Sequence, residues 1–206
     1  MTWKDGDGKV LKTEQVEYGT TPSYTGDTPM KAATAQYGYT FTGWSPEVTA
    51  VTKNVTYTAQ FSSQENTYTV TWKDGDGKVL KTEQAAYGAT PSYTGDTPTK
   101  TATAQYTYTF TGWSPEVTAV TKDVTYTAQF SSKVNTYTVT WTDWNGTVLE
   151  TDENVPYGTV PTYDGEEPRR RGDNSYTYTF ERWLPLVSEV TGDVTYTASY
   201  TATPIK

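Results

Sequence analysis

The 206-residue chain has no cysteine and no histidine. Those two absences exclude a disulfide framework, a Ser–His or Cys–His nucleophile, and the zinc sites built from these ligands. Isoleucine occurs once, at Ile205, and methionine twice, and no stretch approaches the ~20 apolar residues a membrane-spanning helix requires. The opening Met1-Thr2-Trp3-Lys4 does not read as a signal peptide. Positive charge is in short supply: 16 Lys+Arg stand against 24 Asp+Glu, for a net charge of −8 and a pI near 4.6. Affinity for nucleic acid comes from cations that neutralise phosphates, so this balance argues against a nucleic-acid partner. What the chain has in excess is threonine, 45 residues, and tyrosine, 18. β-Branched and aromatic residues favour strands over helices.

The chain also repeats itself. Thr2-Trp3-Lys4-Asp5-Gly6-Asp7-Gly8-Lys9-Val10-Leu11 returns as Thr71-Trp72-Lys73-Asp74-Gly75-Asp76-Gly77-Lys78-Val79-Leu80 and, altered, as Thr140-Trp141-Thr142-Asp143-Trp144-Asn145-Gly146-Thr147-Val148-Leu149. Trp3, Trp72 and Trp141 set a period of 69 residues. The first two copies differ at nine positions, among them Val16/Ala85, Glu17/Ala86, Met30/Thr99, Gly38/Thr107 and Asn54/Asp123. The third diverges further and carries one extra residue between Trp141 and Tyr157. A unit of that length holds a modest core by itself, which predicts three modules in tandem: residues 1–63, with a shortened first strand, 64–132, and 133–206. Ser62-Ser63-Gln64-Glu65 and Ser131-Ser132-Lys133-Val134 read as the short linkers between them.

Within a module the hydrophobic pattern has period two. Residues 66–72 place Tyr68, Val70 and Trp72 on one face and threonines on the other, the signature of a half-buried strand. Asp76-Gly77 suits a tight hairpin into a second strand over residues 79–87. Gly88, Pro91, Gly95 and Pro98 then mark an irregular excursion. Alternating strands follow over residues 105–111 and 123–130, with Tyr106, Tyr108, Phe110, Val124, Tyr126, Ala128 and Phe130 inward. Ser114-Pro115-Glu116 fits the start of a short helical turn between them.

Tyr39-Thr40-Phe41-Thr42-Gly43-Trp44, followed by Asn54-Val55-Thr56-Tyr57-Thr58-Ala59-Gln60-Phe61, resembles the Listeria–Bacteroides repeat family, which includes the B-repeat of internalin-type surface proteins. Residues 108–113 with 123–130 match in the second copy, and residues 178–183 with 193–200 in the third, where Glu181-Arg182 replaces Thr-Gly. The resemblance implies a mainly β, β-grasp-like module on a secreted or wall-attached bacterial protein. Such modules usually stand in tandem, end to end, as an elongated stalk beside neighbouring repeats of the same parent chain. No catalytic residue is implied.

Four groups of residues are candidates for something beyond structure. Asp5-Gly6-Asp7-Gly8 has the alternate aspartates of a calcium loop but lacks the later ligands, and Asn145-Gly146 keeps the turn in the third copy without the charge; the reading is a hairpin and no metal. Arg171-Gly172-Asp173 is the tripeptide that integrins read, and with Arg169 and Arg170 it forms the one basic cluster of an acidic chain. The alternative is a solvated loop near Glu166 and Glu167. Six of the seven tryptophans recur at equivalent positions, as core anchors do; Trp144 instead stands in a turn where the other copies have Gly6 and Gly75, a candidate contact residue. Asn54-Val55-Thr56 and Asn145-Gly146-Thr147 have the form of glycosylation acceptors only.

The carboxylates show no pairing at a cleft, and duplicated copies would duplicate any active site, so the expectation is a non-catalytic chain without cofactor. Charge is uneven, about −2, 0 and −6 across the three copies, which argues against one charged ligand shared by all. The leading expectation is a spacer. The alternative is an adhesive module that contacts a host surface protein or glycan through Trp144, Arg169, Arg170, Arg171, Gly172 and Asp173 of the third copy.

Overall fold

The computed structural model describes residues 1–206, and it is all β. The first module contains β1 (Thr2–Lys4), β2 (Val10–Thr13), β3 (Tyr37–Ser45) and β4 (Thr56–Glu65). The second contains β5 (Thr67–Lys73), β6 (Val79–Ala86), β7 (Tyr106–Ser114) and β8 (Val124–Val134). The third contains β9 (Thr136–Thr142), β10 (Val148–Pro156), β11 (Tyr176–Leu184) and β12 (Val194–Pro204). Each set forms its own four-stranded sheet in the order second, first, fourth, third, with the first and fourth strands parallel at the centre. That is a β-grasp order, as the family resemblance implies, with an irregular crossover where a helix would lie. By contact density the chain falls into two compact units, Met1–Asp96 with Trp113–Ala128, and Thr97–Gly112 with Gln129–Lys206.

The cores follow from the parallel register. Trp3 stands opposite Tyr57, Trp72 opposite Tyr126 and Trp141 opposite Tyr196, so each indole stacks on a phenol at 4.7–4.8 Å between centroids. Trp44, Trp113 and Trp183 meet those indoles edge-on at 4.6–4.8 Å. The crossover supplies the third side: Tyr24, Tyr93 and Tyr163 lie 4.9 Å from the edge-on tryptophans. Offset and edge contacts of this kind add to what burial alone contributes. Gly26 is glycine because a Cβ there would run into the ring and hydroxyl of Tyr24, and Gly95 and Gly165 stand in the same relation to their tyrosines. The three central tryptophans are fully buried, and each indole N–H still finds a carboxylate: Glu14, Glu83 or Asp152, at 2.8–2.9 Å.

Two expectations need correction. Ser62-Ser63-Gln64-Glu65 and Ser131-Ser132-Lys133-Val134 are not linkers; they are the last residues of β4 and β8, paired with β3 and β7. A run of mostly polar residues looks like a loop, yet β3 or β7 lies alongside to bond its backbone. One residue, Asn66 or Asn135, stands between the last strand of one sheet and the first strand of the next. Ser114-Pro115-Glu116 starts no helical turn; β7 runs to Ser114, and the Ser114–Pro115 bond is cis, as are Ser45–Pro46 and Leu184–Pro185. Gly43 and Gly112 take φ of 141° and 142°, and Gly43 stands at the bulge in β3. The extra residue of the third copy is absorbed as a bulge in β10, where Glu153 and Asn154 lie between the pairs Asp152/Val139 and Val155/Tyr137, and Asn154 takes φ of 59°.

Candidate functional site

The residues singled out in the third copy come together in part. The hairpin turn between β9 and β10 keeps its backbone, with Asp143 N–H donating to Thr147 O at 2.8 Å and Gly146 N–H to Asp143 O at 2.9 Å. In the first copy Asp5 Oδ1 accepts the N–H groups of Asp7 and Lys9, which closes the hairpin turn. In the third, Asp143 Oδ1 accepts from Trp144 N–H and from the Tyr200 hydroxyl, and Asn145 Oδ1 takes the Thr147 N–H. Gly6 explains why this turn tolerates a side chain only here: a Cβ on Gly6 would lie 2.9 Å from the Phe61 ring. Tyr200 holds the Phe61 position, and its hydroxyl is drawn to Asp143. Burial and that bond push the Tyr200 phenol well above its usual range.

Trp144 is half exposed, and it faces a partner. The Arg170 guanidinium lies between two rings, 4.3 Å from the Trp144 centroid and 3.7 Å from that of Tyr178. A cation over the equivalent tyrosine recurs in the other modules, as Lys31 over Tyr39 at 4.4 Å and Lys100 over Tyr108 at 4.7 Å. The arginine and the added tryptophan thus enlarge a contact that all three modules share. The sequence pointed to Trp144 and Arg170 separately; Tyr178 went unnoticed because it alternates like any strand tyrosine.

Arg169, Arg171, Gly172 and Asp173 are exposed. Asp173 already uses its carboxylate inside the loop: Oδ1 accepts the N–H of Ser175 at 2.8 Å and of Tyr176 at 2.9 Å, and Oδ2 accepts the Tyr178 hydroxyl at 2.9 Å. Those bonds hold its carboxyl below the ordinary aspartate value. Thr34 and Thr103 perform the same turn in the first two copies, their hydroxyls accepting the N–H of Tyr37 and Tyr106. A Cβ on Gly172 would lie 2.9 Å from Tyr176 O, at a position where the first two copies carry Ala33 and Ala102. The tripeptide is therefore placed as a turn, with Arg171 on the solvent side of it.

A concavity of about 340 Å³ in the first module is lined by Trp3, Pro22, Tyr24, Phe41, Trp44 and Val48 and belongs to the core cover. No group of metal-ligating side chains gathers anywhere in the chain.

No family model matches the chain, and no curated protein does, so the resemblance to the Listeria–Bacteroides repeat stands on the residues that carry it. Among solved structures the chain is similar to domains 3–4 of the Streptococcal High Identity Repeats in Tandem (SHIRT) from a cell-surface protein. The two share 14% identity over 67% of this chain and 99% of that one, with a TM-score of 0.32, a loose resemblance.

Proposed function

We propose that the chain is a non-catalytic spacer segment of a bacterial cell-surface protein, exposed outside the cell and made of three β-modules in series. One observation carries this reading. The last strand of each of the first two modules passes into the first strand of the next with a single residue between them, Asn66 or Asn135. A part whose useful property is reach needs repeated units and joints without slack, and near-identical copies supply both. Inserting one further copy of residues 66–134 tests the idea: scattering in solution should show the maximum dimension growing by roughly 30 Å, the size of a 69-residue domain. An unchanged dimension would sink it.

A second reading has its own support. The half-exposed Trp144 stacked on Arg170, with Arg169 and Arg171 beside it, is the sort of aromatic–cation surface that contacts a host protein or glycan. Trp144→Gly restores the residue of the other copies; adhesion of cells displaying the chain would drop if this face binds and stay unchanged if the chain only spaces.

A further inference from the structure

The two seams are built from the same parts. Asn66 donates its backbone N–H to Gln36 O at 2.8 Å and its side-chain amide to Thr34 O at 2.9 Å and Ala35 O at 3.0 Å, all in the first module. Its own carbonyl accepts the N–H of Tyr87, in the second module, at 3.0 Å. Tyr68 adds a hydroxyl bond to Ala35 O at 2.5 Å. At the second seam Asn135 repeats every bond, to Gln105 O at 2.9 Å, Thr103 O at 2.8 Å and Ala104 O at 3.0 Å, with Tyr157 N–H on its carbonyl at 2.9 Å and Tyr137 hydroxyl on Ala104 O at 2.6 Å. Both sets lie inside one compact unit, the first seam in Met1–Asp96 and the second in Gln129–Lys206 with Thr97–Gly112. A carboxamide is the side chain that presents two donors in one plane, here spent on two successive carbonyls of a turn that Thr34 or Thr103 holds shut.

We infer that Asn66 and Asn135 clamp each module to the next, and that the second clamp is the stiffer. The difference lies in one of the nine substitutions. Thr107 donates its hydroxyl to Asn135 Oδ1 at 2.6 Å, which fixes the amide plane from its third side. The matching residue in the first copy is Gly38, which has no hydroxyl to offer; its Cβ position is 3.6 Å from Asn66 Oδ1, open to a threonine at ordinary contact distance. Joint stiffness thus varies between seams of otherwise equal design, and it is set by a residue on the third strand of the preceding module.

Amide hydrogen exchange at Tyr87 and Tyr157 reads the two clamps directly, since each N–H bonds to its asparagine's carbonyl. In the intact chain Tyr157 should exchange several-fold more slowly than Tyr87. Asn66→Ala should accelerate Tyr87 about tenfold, the loss of one or two net hydrogen bonds, while the core amides of Val70 and Trp72 change less than about twofold. Gly38→Thr should slow Tyr87, and Thr107→Val should speed Tyr157, neither variant touching a core residue. Equal protection of the two amides in the intact chain, or no response of Tyr87 to Asn66→Ala, overturns the inference. Loss of core protection in Asn66→Ala also overturns it, because the asparagine would then hold a fold together rather than a joint. None of these readouts depends on whether the chain serves as a spacer.

Discussion

At the scale of single residues, the demand that shapes this protein is the indole N–H that its central tryptophans carry inside. Trp72 is 1% exposed, so its N–H must have an acceptor, and Glu83 supplies one at 2.8 Å while its other oxygen meets Lys81 at 2.6 Å. Glu83→Ala leaves the donor unsatisfied and should cost the second module about 1–3 kcal/mol, whereas Glu83→Gln keeps an acceptor oxygen and should cost less than half of that. Denaturant-dependent exchange of the Val70 and Trp72 amides measures both. Equal losses would mean that the Lys81 ion pair, not the indole, is the partner that matters, against the small value of half-exposed pairs.

Asp173 gives a residue-scale expectation for pH. Its carboxyl is held below the usual aspartate value, first by the Ser175 and Tyr176 N–H groups and then by the Tyr178 hydroxyl. A depressed value means that the loop gains its hold above the unfolded-state pKa, about 3.9, and loses it as the pH falls through the lower folded one. Protection of the Ser175 and Tyr176 amides, relative to their unstructured rates at each pH, should therefore hold near neutrality and fall below about pH 4, and Asp173→Asn should flatten the profile. A loop that responds only near neutral pH would contradict this assignment.

At the scale of elements, the strands were largely written in the sequence and their ends were not. Tyr68, Val70 and Trp72 alternate with threonine, so β5 could be read from its residues alone. β4 and β8 run on through Ser62-Ser63-Gln64-Glu65 and Ser131-Ser132-Lys133-Val134, because the far half of each is held by backbone pairing to β3 or β7, which no side-chain pattern announces. The candidate site divides in the same way: Trp144 stood out as a break in the repeat, whereas its sandwich with Arg170 and Tyr178 needed the sheet to bring residues 34 apart in sequence onto one face.

At the scale of the whole molecule, the repeat makes a strong statement about register. Asn66 and Asn135 occupy the same place in the same set of bonds, and the residues that follow, Thr67-Tyr68-Thr69-Val70-Thr71-Trp72 and Thr136-Tyr137-Thr138-Val139-Thr140-Trp141, are identical in sequence. Removing one full period, residues 66–134, therefore joins Glu65 to Asn135 and recreates a seam in which every partner of the asparagine is present. That protein should fold, keep the exchange protection of the Trp3 and Trp141 indoles, and show each remaining module within about 0.5 kcal/mol of its stability in the full chain, because the remaining seam keeps the partners of its asparagine. Its seam would carry Gly38 opposite Asn135, so Tyr157 should exchange at the faster rate expected for Tyr87 in the intact chain. A deletion three residues shorter, 66–131, keeps the same modules but leaves Ser132-Lys133-Val134 between Glu65 and Asn135. The asparagine then stands four residues beyond the end of β4 and cannot reach Thr34 and Ala35 in register, so seam protection should disappear while both cores survive. If the two deletions behaved alike, continuity of the strands through single asparagines would have no bearing on how the modules are joined.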